Sequence, residues 1–234
     1  SIKLLNNVMD KTIFCSLAFG AISLDSSKDY KPCCGLDPNH WEKTSDVSKS
    51  YVENINSLTL QNIRSSLING EWPAICLNCK KSEDAGAESM RTIWNSTYDR
   101  LQEYKSSKPL VLSPVIDPEQ IFHLDFTFST KCNSKCMMCG PDASDFWEEE
   151  WDYIYKDSYR KFIPIDNRVR VDANTIDNII PYIGNVRFIS FVGGEPTISE
   201  EHFKFLTMLV ESGYSKNISL SYVTNLTGIS DELL

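Results

Sequence analysis

Cys132-Asn133-Ser134-Lys135-Cys136-Met137-Met138-Cys139 places three thiols within eight residues, and its reading decides how the rest of the chain is read. Before it lies a strand-like run, Ile121 to Ser129, and after it a helix-like run from about Ala143. Three thiolates held between a strand end and a helix start can converge on one soft metal centre. Iron–sulfur clusters usually take four Cys ligands. A local set of three therefore suggests a cluster with one iron left open, by the logic through which a catalytic zinc keeps a free position for substrate. On the loop alone, a structural zinc knuckle is the alternative.

A second feature lies downstream, where the strand-like Val186 to Val192 runs straight into Gly193-Gly194-Glu195-Pro196-Thr197. Glycines let backbone approach a ligand closely, and exposed backbone groups at a strand end can hold a zwitterion. Thr197-x-x-Glu200 reads as a capping box opening the next helix. The Cys-x3-Cys-x2-Cys loop followed by Gly-Gly-Glu-Pro resembles the radical SAM enzymes. The resemblance implies that Cys132, Cys136 and Cys139 bind a [4Fe–4S] cluster whose open iron is chelated by S-adenosylmethionine. It also implies that Gly193, Gly194 and Glu195 hold the methionine moiety of that cofactor, and that Thr224-Asn225 forms the turn ending the family's third strand beside it. Met138 stands beside the adenine, where the family usually carries an aromatic residue but makes its contact largely through backbone. The activity implied is reductive cleavage of the sulfonium to a 5′-deoxyadenosyl radical that abstracts hydrogen from an unreactive carbon. An external electron donor such as flavodoxin or ferredoxin is implied with it.

Composition is compatible with this. The chain has 234 residues, 41% hydrophobic, enough for one or two domains with real cores. A net charge of −9 argues against a broad electrostatic grip on nucleic acid. No stretch approaches the apolar length of a membrane span, and the N-terminus lacks a signal-peptide pattern. The expected location is cytoplasmic, where eight Cys point to metal rather than disulfides. The sequons at Asn95, Asn217 and Asn225 are then accidental.

Four further cysteines precede the loop. Thr12 to Phe19 reads as a strand, Asp25 to Asp29 as a polar turn, and Tyr30-Lys31-Pro32-Cys33-Cys34-Gly35 as the return of a hairpin. Neighbouring side chains on a strand face opposite ways, so one of Cys33 and Cys34 is a ligand and the other core; Cys33 is the expected ligand. Leu58 to Asn69 reads as a helix with Ser57 as N-cap, an apolar stripe of Leu60, Ile63, Leu67 and Ile68, and Gly70 at C′. A Cys76-x2-Cys79 knuckle follows, before a helix expected from about Lys80 to Tyr104 with Gly86 weakening its first turn. On spacing alone, Cys15, Cys33, Cys76 and Cys79 make a complete set for zinc. A two-cysteine hairpin with a Trp-Pro-x2-Cys-x2-Cys turn instead looks like the twitch domain, the shortened relative of the SPASM domain. That resemblance implies a second, auxiliary [4Fe–4S] cluster. Its position before the barrel resembles a group of phage and bacterial radical SAM proteins, in which the Glu88-Ser89-Met90-Arg91 pattern also recurs. Arg91 is either a partner near the cluster or an ordinary solvated helix residue.

The expected fold is α/β. A twitch-like α+β domain over 1–105 and a Ser-, Lys- and Pro-rich linker over 106–119 lead into a partial (β/α) radical SAM barrel over 120–234. Ile121 to Phe128 alternates with period two, so His123, Asp125 and Thr127 point into the barrel, as substrate contacts or as structural hydrogen bonds. The aromatic residues around Phe146-Trp147 and Trp151 read as core. Tyr159 to Val171 reads as an irregular crossover, and Asp172 as the cap of a short helix ending near Pro181. Helix 198–212 is stopped by Gly213, and Ile218 to Val223 is the next strand. The family's barrel has six strands, whereas this chain offers three, starts at Ser1 and stops in the helix-like Asp231 to Leu234. It is therefore expected to be a piece of a longer protein, and incompetent by itself. A peptide side chain is the first substrate expected, with a small molecule behind it. A nucleoside enzyme resembling 7-carboxy-7-deazaguanine synthase is a second class, although such enzymes generally lack the four-cysteine module. A non-enzymatic zinc-binding module is a third.

Overall fold

The structure, a computed structural model, describes residues 13–24, 29–42, 46, 49–156 and 173–228. It is an α/β protein. Strands Ala21–Leu24 (β1), Tyr30–Lys31 (β2), His123–Phe126 (β3), Phe188–Phe191 (β4) and Ser219–Tyr222 (β5) form one sheet in the order β2-β1-β3-β4-β5. The sheet is mostly parallel, with Phe188 of β4 opposite Ser219 of β5 and Phe191 opposite Tyr222. The chain divides into two compact units, Ser1–Ser23 with Tyr30–His123, and Leu24–Asp29 with Leu124–Leu234.

The first unit carries helices Ser16–Gly20 (α1), Tyr51–Ile55 (α2), Leu58–Ile68 (α3), Leu77–Asp84 (α4) and Met90–Glu103 (α5). The strand expected up to Phe19 is corrected: its second half is α1, a single turn packed against α3 and α5. Tertiary partners impose that turn. Asn95 Oδ1 accepts from Ser16 N at 2.8 Å, and Arg64 Nε donates to Ala18 O at 2.9 Å. α3 forms as its periodicity predicts, with Leu60, Ile63 and Leu67 buried. At its end Gly70 takes φ 78°, and the N–H groups of Gly70 and Glu71 close onto Leu67 and Ser66 carbonyls. Arg64 on the same helix is only 1% exposed, and donates to the carbonyls of Ala18, Ile55 and Pro114 at 2.9–3.0 Å.

The single helix expected from Lys80 to Tyr104 is two. α4 stops at Asp84, Gly86 turns the chain at φ 75°, and α5 restarts with a Ser89–Thr92 capping box. Residues 106–119, expected as a linker, are fastened within this unit. Leu110 N donates to Tyr98 Oη at 2.7 Å, and Ile116 N donates to Asn56 Oδ1 at 2.9 Å.

The second unit carries helices Glu148–Tyr155 (α6), Ala173–Ile179 (α7) and Glu200–Glu211 (α8). Its core is aromatic: the Phe205 ring of α8 meets Phe126 at 5.3 Å and Phe128 at 5.6 Å, and Phe128 meets Phe191 at 5.7 Å. Every residue of β3 is buried, whereas Ser219, Leu220 and Ser221 on the edge strand β5 are exposed. The capping box expected at Thr197 is corrected, because Glu195 takes both the Thr197 N–H and its hydroxyl, and α8 starts behind Ser199. Readings placed on Ser1, Thr12, Asp25 to Lys28, Tyr159 to Val171, Asp172 and Asp231 to Leu234 lie outside the described residues. No helix among the described residues is long and apolar enough to cross a membrane.

Candidate functional site

Four cysteines from separate stretches line one cavity in the first unit. Cys15 stands at the N-cap of α1, Cys33 follows β2, Cys76 is the N-cap of α4, and Cys79 lies in the first turn of α4. Leu17, Leu67, Trp72 and Ile75 supply an apolar wall around them. Cys34 does not line this cavity and is exposed. Burial pushes the Cys15 thiol up to about 11, against the opposing pull of the Ala18 and Leu17 N–H groups. Burial, with Cys15 and Cys79 as like-charged neighbours, pushes Cys76 up to about 12, and burial also raises Cys33 well above the usual thiol range. Such thiols stay protonated at neutral pH until a cation takes the place of the protons.

Arg91 lies at the wall of this cavity. Its Nε donates to Glu83 Oε1 at 2.9 Å and its Nη1 to Phe14 O at 2.6 Å, and the guanidinium stands over the Trp72 ring at 5.4 Å. Hydrogen bonds from Arg91 are the main reason that the Glu83 carboxyl sits below its ordinary value. Of the two readings of Arg91, the solvated one is thereby excluded. Glu83 itself went unread in the sequence, where it looks like one more acidic helix residue.

The second set of thiols sits on the loop after β3. Cys136 is exposed, Cys132 and Cys139 are half-buried, and Met137 and Met138 are 97% and 94% exposed. The backbone of this loop is pinned from several sides. Cys132 N donates to Asp145 Oδ1 at 3.0 Å, Ser144 Oγ to Ser134 O at 2.9 Å, and Trp147 Nε1 to Cys136 O at 3.0 Å. Lys135 pairs with Glu150 on α6. Burial, then the neighbouring Cys136 and Cys132, raise the Cys139 thiol.

Beneath the loop lies the Gly-Gly-Glu-Pro turn. Gly193 and Gly194 adopt φ 74° and 57°. A Cβ on Gly194 would stand 2.5 Å from Lys131 O and 2.6 Å from Ser129 O, and one on Gly193 would stand 2.4 Å from Thr127 Cγ2. The glycines therefore serve close approach of this turn to the backbone that leads into Cys132. Gly194 N donates to Ala143 O at 2.7 Å and Glu195 N to Lys131 O at 2.9 Å. These two amides are engaged, so they are not free to bind a ligand.

Glu195 is 1% exposed. Its Oε1 accepts from Thr197 N, Thr197 Oγ1 and Thr224 Oγ1 at 3.1, 2.7 and 2.6 Å, and its Oε2 accepts from Asn225 N at 2.7 Å. Burial alone would raise this carboxyl, but the donors, Thr224 first, outweigh burial and hold it below its ordinary range. The Thr224-Asn225 turn is thus tied to the Gly-Gly-Glu-Pro turn through a buried carboxylate. Asn133, Ser134, Asp145, Trp147 and Thr227 join this framework without any signal in the sequence beyond their nearness to the cysteines or to Thr224-Asn225.

His123, Asp125 and Thr127 are buried. His123 is stacked on Trp94 at 4.1 Å and 18°, and burial lowers it to about 3, so its ring is neutral at physiological pH. No group of three or more His, Cys, Asp or Glu among the described residues is disposed to hold a single metal ion. The chain matches no family model, no curated protein and no solved structure.

Proposed function

We propose that this chain is an iron–sulfur protein of the radical SAM type, with a catalytic [4Fe–4S] cluster on Cys132, Cys136 and Cys139 and an auxiliary one on Cys15, Cys33, Cys76 and Cys79. The observation that carries the reading is the pair of separate thiol sets, one of four in a buried apolar cavity and one of three on a loop. Four thiols around one apolar cavity suit a zinc ion or a polynuclear cluster, and the resemblance to the twitch domain supports the cluster. In the barrel reading, β3 to β5 are the first strands of the radical SAM core, and the first unit is the twitch-like domain.

When bound, the catalytic cluster supplies the electron that cleaves S-adenosylmethionine, and the resulting radical takes hydrogen from substrate. The chain's own work is to hold and aim. Cys132, Cys136 and Cys139 would hold the catalytic cluster, three ligands being what the resemblance requires for S-adenosylmethionine to bind there as well. The amides of Gly194 and Glu195 are already engaged, and the ligand's ammonium is itself a donor. The resemblance assigns the methionine ammonium to the Gly-Gly-Glu-Pro turn, and carbonyl oxygens are the groups that could accept from it. Arg91 brings a positive charge to the wall of the auxiliary site, where it offsets thiolate charge. A peptide side chain is the substrate carried by the resemblance.

Anaerobic reconstitution tests the assignment. About eight iron atoms per chain with matching acid-labile sulfide, four per cluster, are expected. Replacing Cys132, Cys136 and Cys139 by Ala removes about half of them if the two sets are independent clusters. Zinc without sulfide in both sites would overturn the proposal.

A further inference from the structure

The turn after β5 carries a hydrogen-bonded ring whose other member lies inside the cysteine loop. Asn225 Nδ2 donates to Asn133 Oδ1 at 2.9 Å, Asn133 Nδ2 donates to Thr227 Oγ1 at 2.7 Å, and Thr227 Oγ1 donates to Asn225 Oδ1 at 2.6 Å. The direction of the ring is fixed by backbone. Thr227 N donates to Asn225 Oδ1 at 3.0 Å, so a flipped Asn225 amide would set donor against donor there. The second Nδ2 hydrogen goes to Ser134 Oγ at 3.0 Å, which is again within the loop. Both ends of the Asn225 amide are therefore fully engaged. Its backbone N–H is held from behind by Glu195 at 2.7 Å.

We infer that Asn225, backed by Glu195, is a positioning residue for the cysteine loop and that its side chain does not touch the cofactor. This rests on the cluster assigned above to Cys132, Cys136 and Cys139. The geometry gives Glu195 and Thr224 the same character, since the Glu195 carboxylate takes four donors, Thr224 Oγ1 among them. Asn133 and Ser134 sit between Cys132 and Cys136, so the ring restrains the stretch that joins those two cysteines. Where the loop is pinned, Asn133 and Ser134 hold its first half in one arrangement in the absence of metal. Where it is released, each sulfur must be gathered again for every iron captured.

The test compares the full chain with Asn225→Ala and Thr227→Val, the second keeping side-chain shape while removing the hydroxyl that closes the ring. Metal-free protein is followed by amide exchange over 132–139, and reconstituted protein by anaerobic release of iron to a chelator. The four-cysteine site of the same molecule serves as internal reference. Loss of two ordinary hydrogen bonds should speed exchange and iron release at the loop by about tenfold. Thr227→Val should act in the same direction and more weakly, with exchange over 76–90, release from the four-cysteine site and the melting midpoint unchanged. A purely structural role would instead lower the midpoint and speed exchange across the second unit, which would overturn the inference. Unchanged exchange and release at the loop in both variants would overturn it as well. Failure of the unmodified chain to hold iron at the loop would defeat the cluster reading itself, a result told apart because the exchange comparison needs no metal.

Discussion

Alanine at Gly194 should be far more damaging than its size suggests, and the coordinates say why. The φ of 57° costs an L-residue about 1–2 kcal/mol. The new Cβ would also meet Lys131 O at 2.5 Å and Ser129 O at 2.6 Å, both backbone, so no side chain can swing aside. Relief requires the turn to retreat, which breaks the bonds from Gly194 N to Ala143 O and from Glu195 N to Lys131 O. Two such bonds are worth about 1–3 kcal/mol net. The expected loss is about 2–5 kcal/mol out of a typical stability of about 5–15. Gly193→Ala makes the control, because there the Cβ meets the Thr127 side chain, Cγ2 at 2.4 Å. Thr127→Ser deletes that methyl, so the Gly193→Ala/Thr127→Ser double variant should recover about 1–3 kcal/mol relative to additivity, while Gly194→Ala/Thr127→Ser recovers nothing. Opening free energies from amide exchange at β3 and β4 supply the assay, since they report the second unit by itself. A Gly194→Ala chain within about 0.5 kcal/mol of the parent, or one rescued by Thr127→Ser, would refute the reasoning.

Three further outcomes follow from the first unit. Cys33→Ser should empty the four-cysteine site in a metal and sulfide assay while Cys34→Ser leaves it filled, because only Cys33 lines the cavity; the reverse pattern would show that the chain threads the site differently. Arg64→Met should cost about 3 kcal/mol or more in thermal or chemical unfolding, because it strands the buried carbonyls of Ala18, Ile55 and Pro114, and a loss below about 1 kcal/mol would contradict the bonding described. His123 is held neutral, with its folded value near 3, so the unfolded chain takes up its proton first as pH falls below about 6.5. That contribution to stability is complete above about 6.5 and is lost progressively down to the folded value, about 5 kcal/mol over the whole span. His123→Gln should flatten the acid limb of a stability-versus-pH curve, and an unchanged limb would remove His123 as its source.

What could be read from the sequence was local. The Gly-Gly turn and the apolar stripe of α3 each depend on residues a few positions apart, and each stands in the structure where the pattern put it. The misreadings share another cause. Ser16 to Phe19 looks like strand because its side chains are small or apolar, but its turn is fixed by Asn95 and Arg64, 79 and 46 residues away. Residues 106–119 look like a linker because Ser, Lys and Pro dominate, yet their backbone is fastened by Tyr98, Asn56 and Arg64 from earlier helices. Gly86 reads in sequence as a weak helix residue, but a glycine at φ 75° with nothing within 4 Å of its missing Cβ is a helix stop. Thr197 has the spacing of a cap, but the nearer carboxylate of Glu195 outcompetes α8 for it. No periodicity records a partner so distant in sequence, or a competitor two residues upstream.

The same contrast between local and distant separates the two thiol sets physically. Cys132, Cys136 and Cys139 are close in sequence, so an unfolded molecule could still capture metal with them, although less readily than the pinned loop. Binding to the unfolded state cancels part of the stability that a ligand confers on the folded one. Cys15, Cys33, Cys76 and Cys79 span more than sixty residues of sequence and meet only when α1, β2 and α4 have been brought together. Burial raises the thiols of Cys15, Cys33 and Cys76, so closing the cavity without metal leaves apolar walls around groups that resist ionisation. A cluster bound there would therefore contribute most of its binding energy to folding of the first unit, whereas the loop is already ordered by Asn225, Asp145 and Ser144 and would gain less. If the proposed clusters occupy both sets, the four-cysteine site would act chiefly as a staple for the first unit, while the loop site would rely on bonds that the fold already supplies.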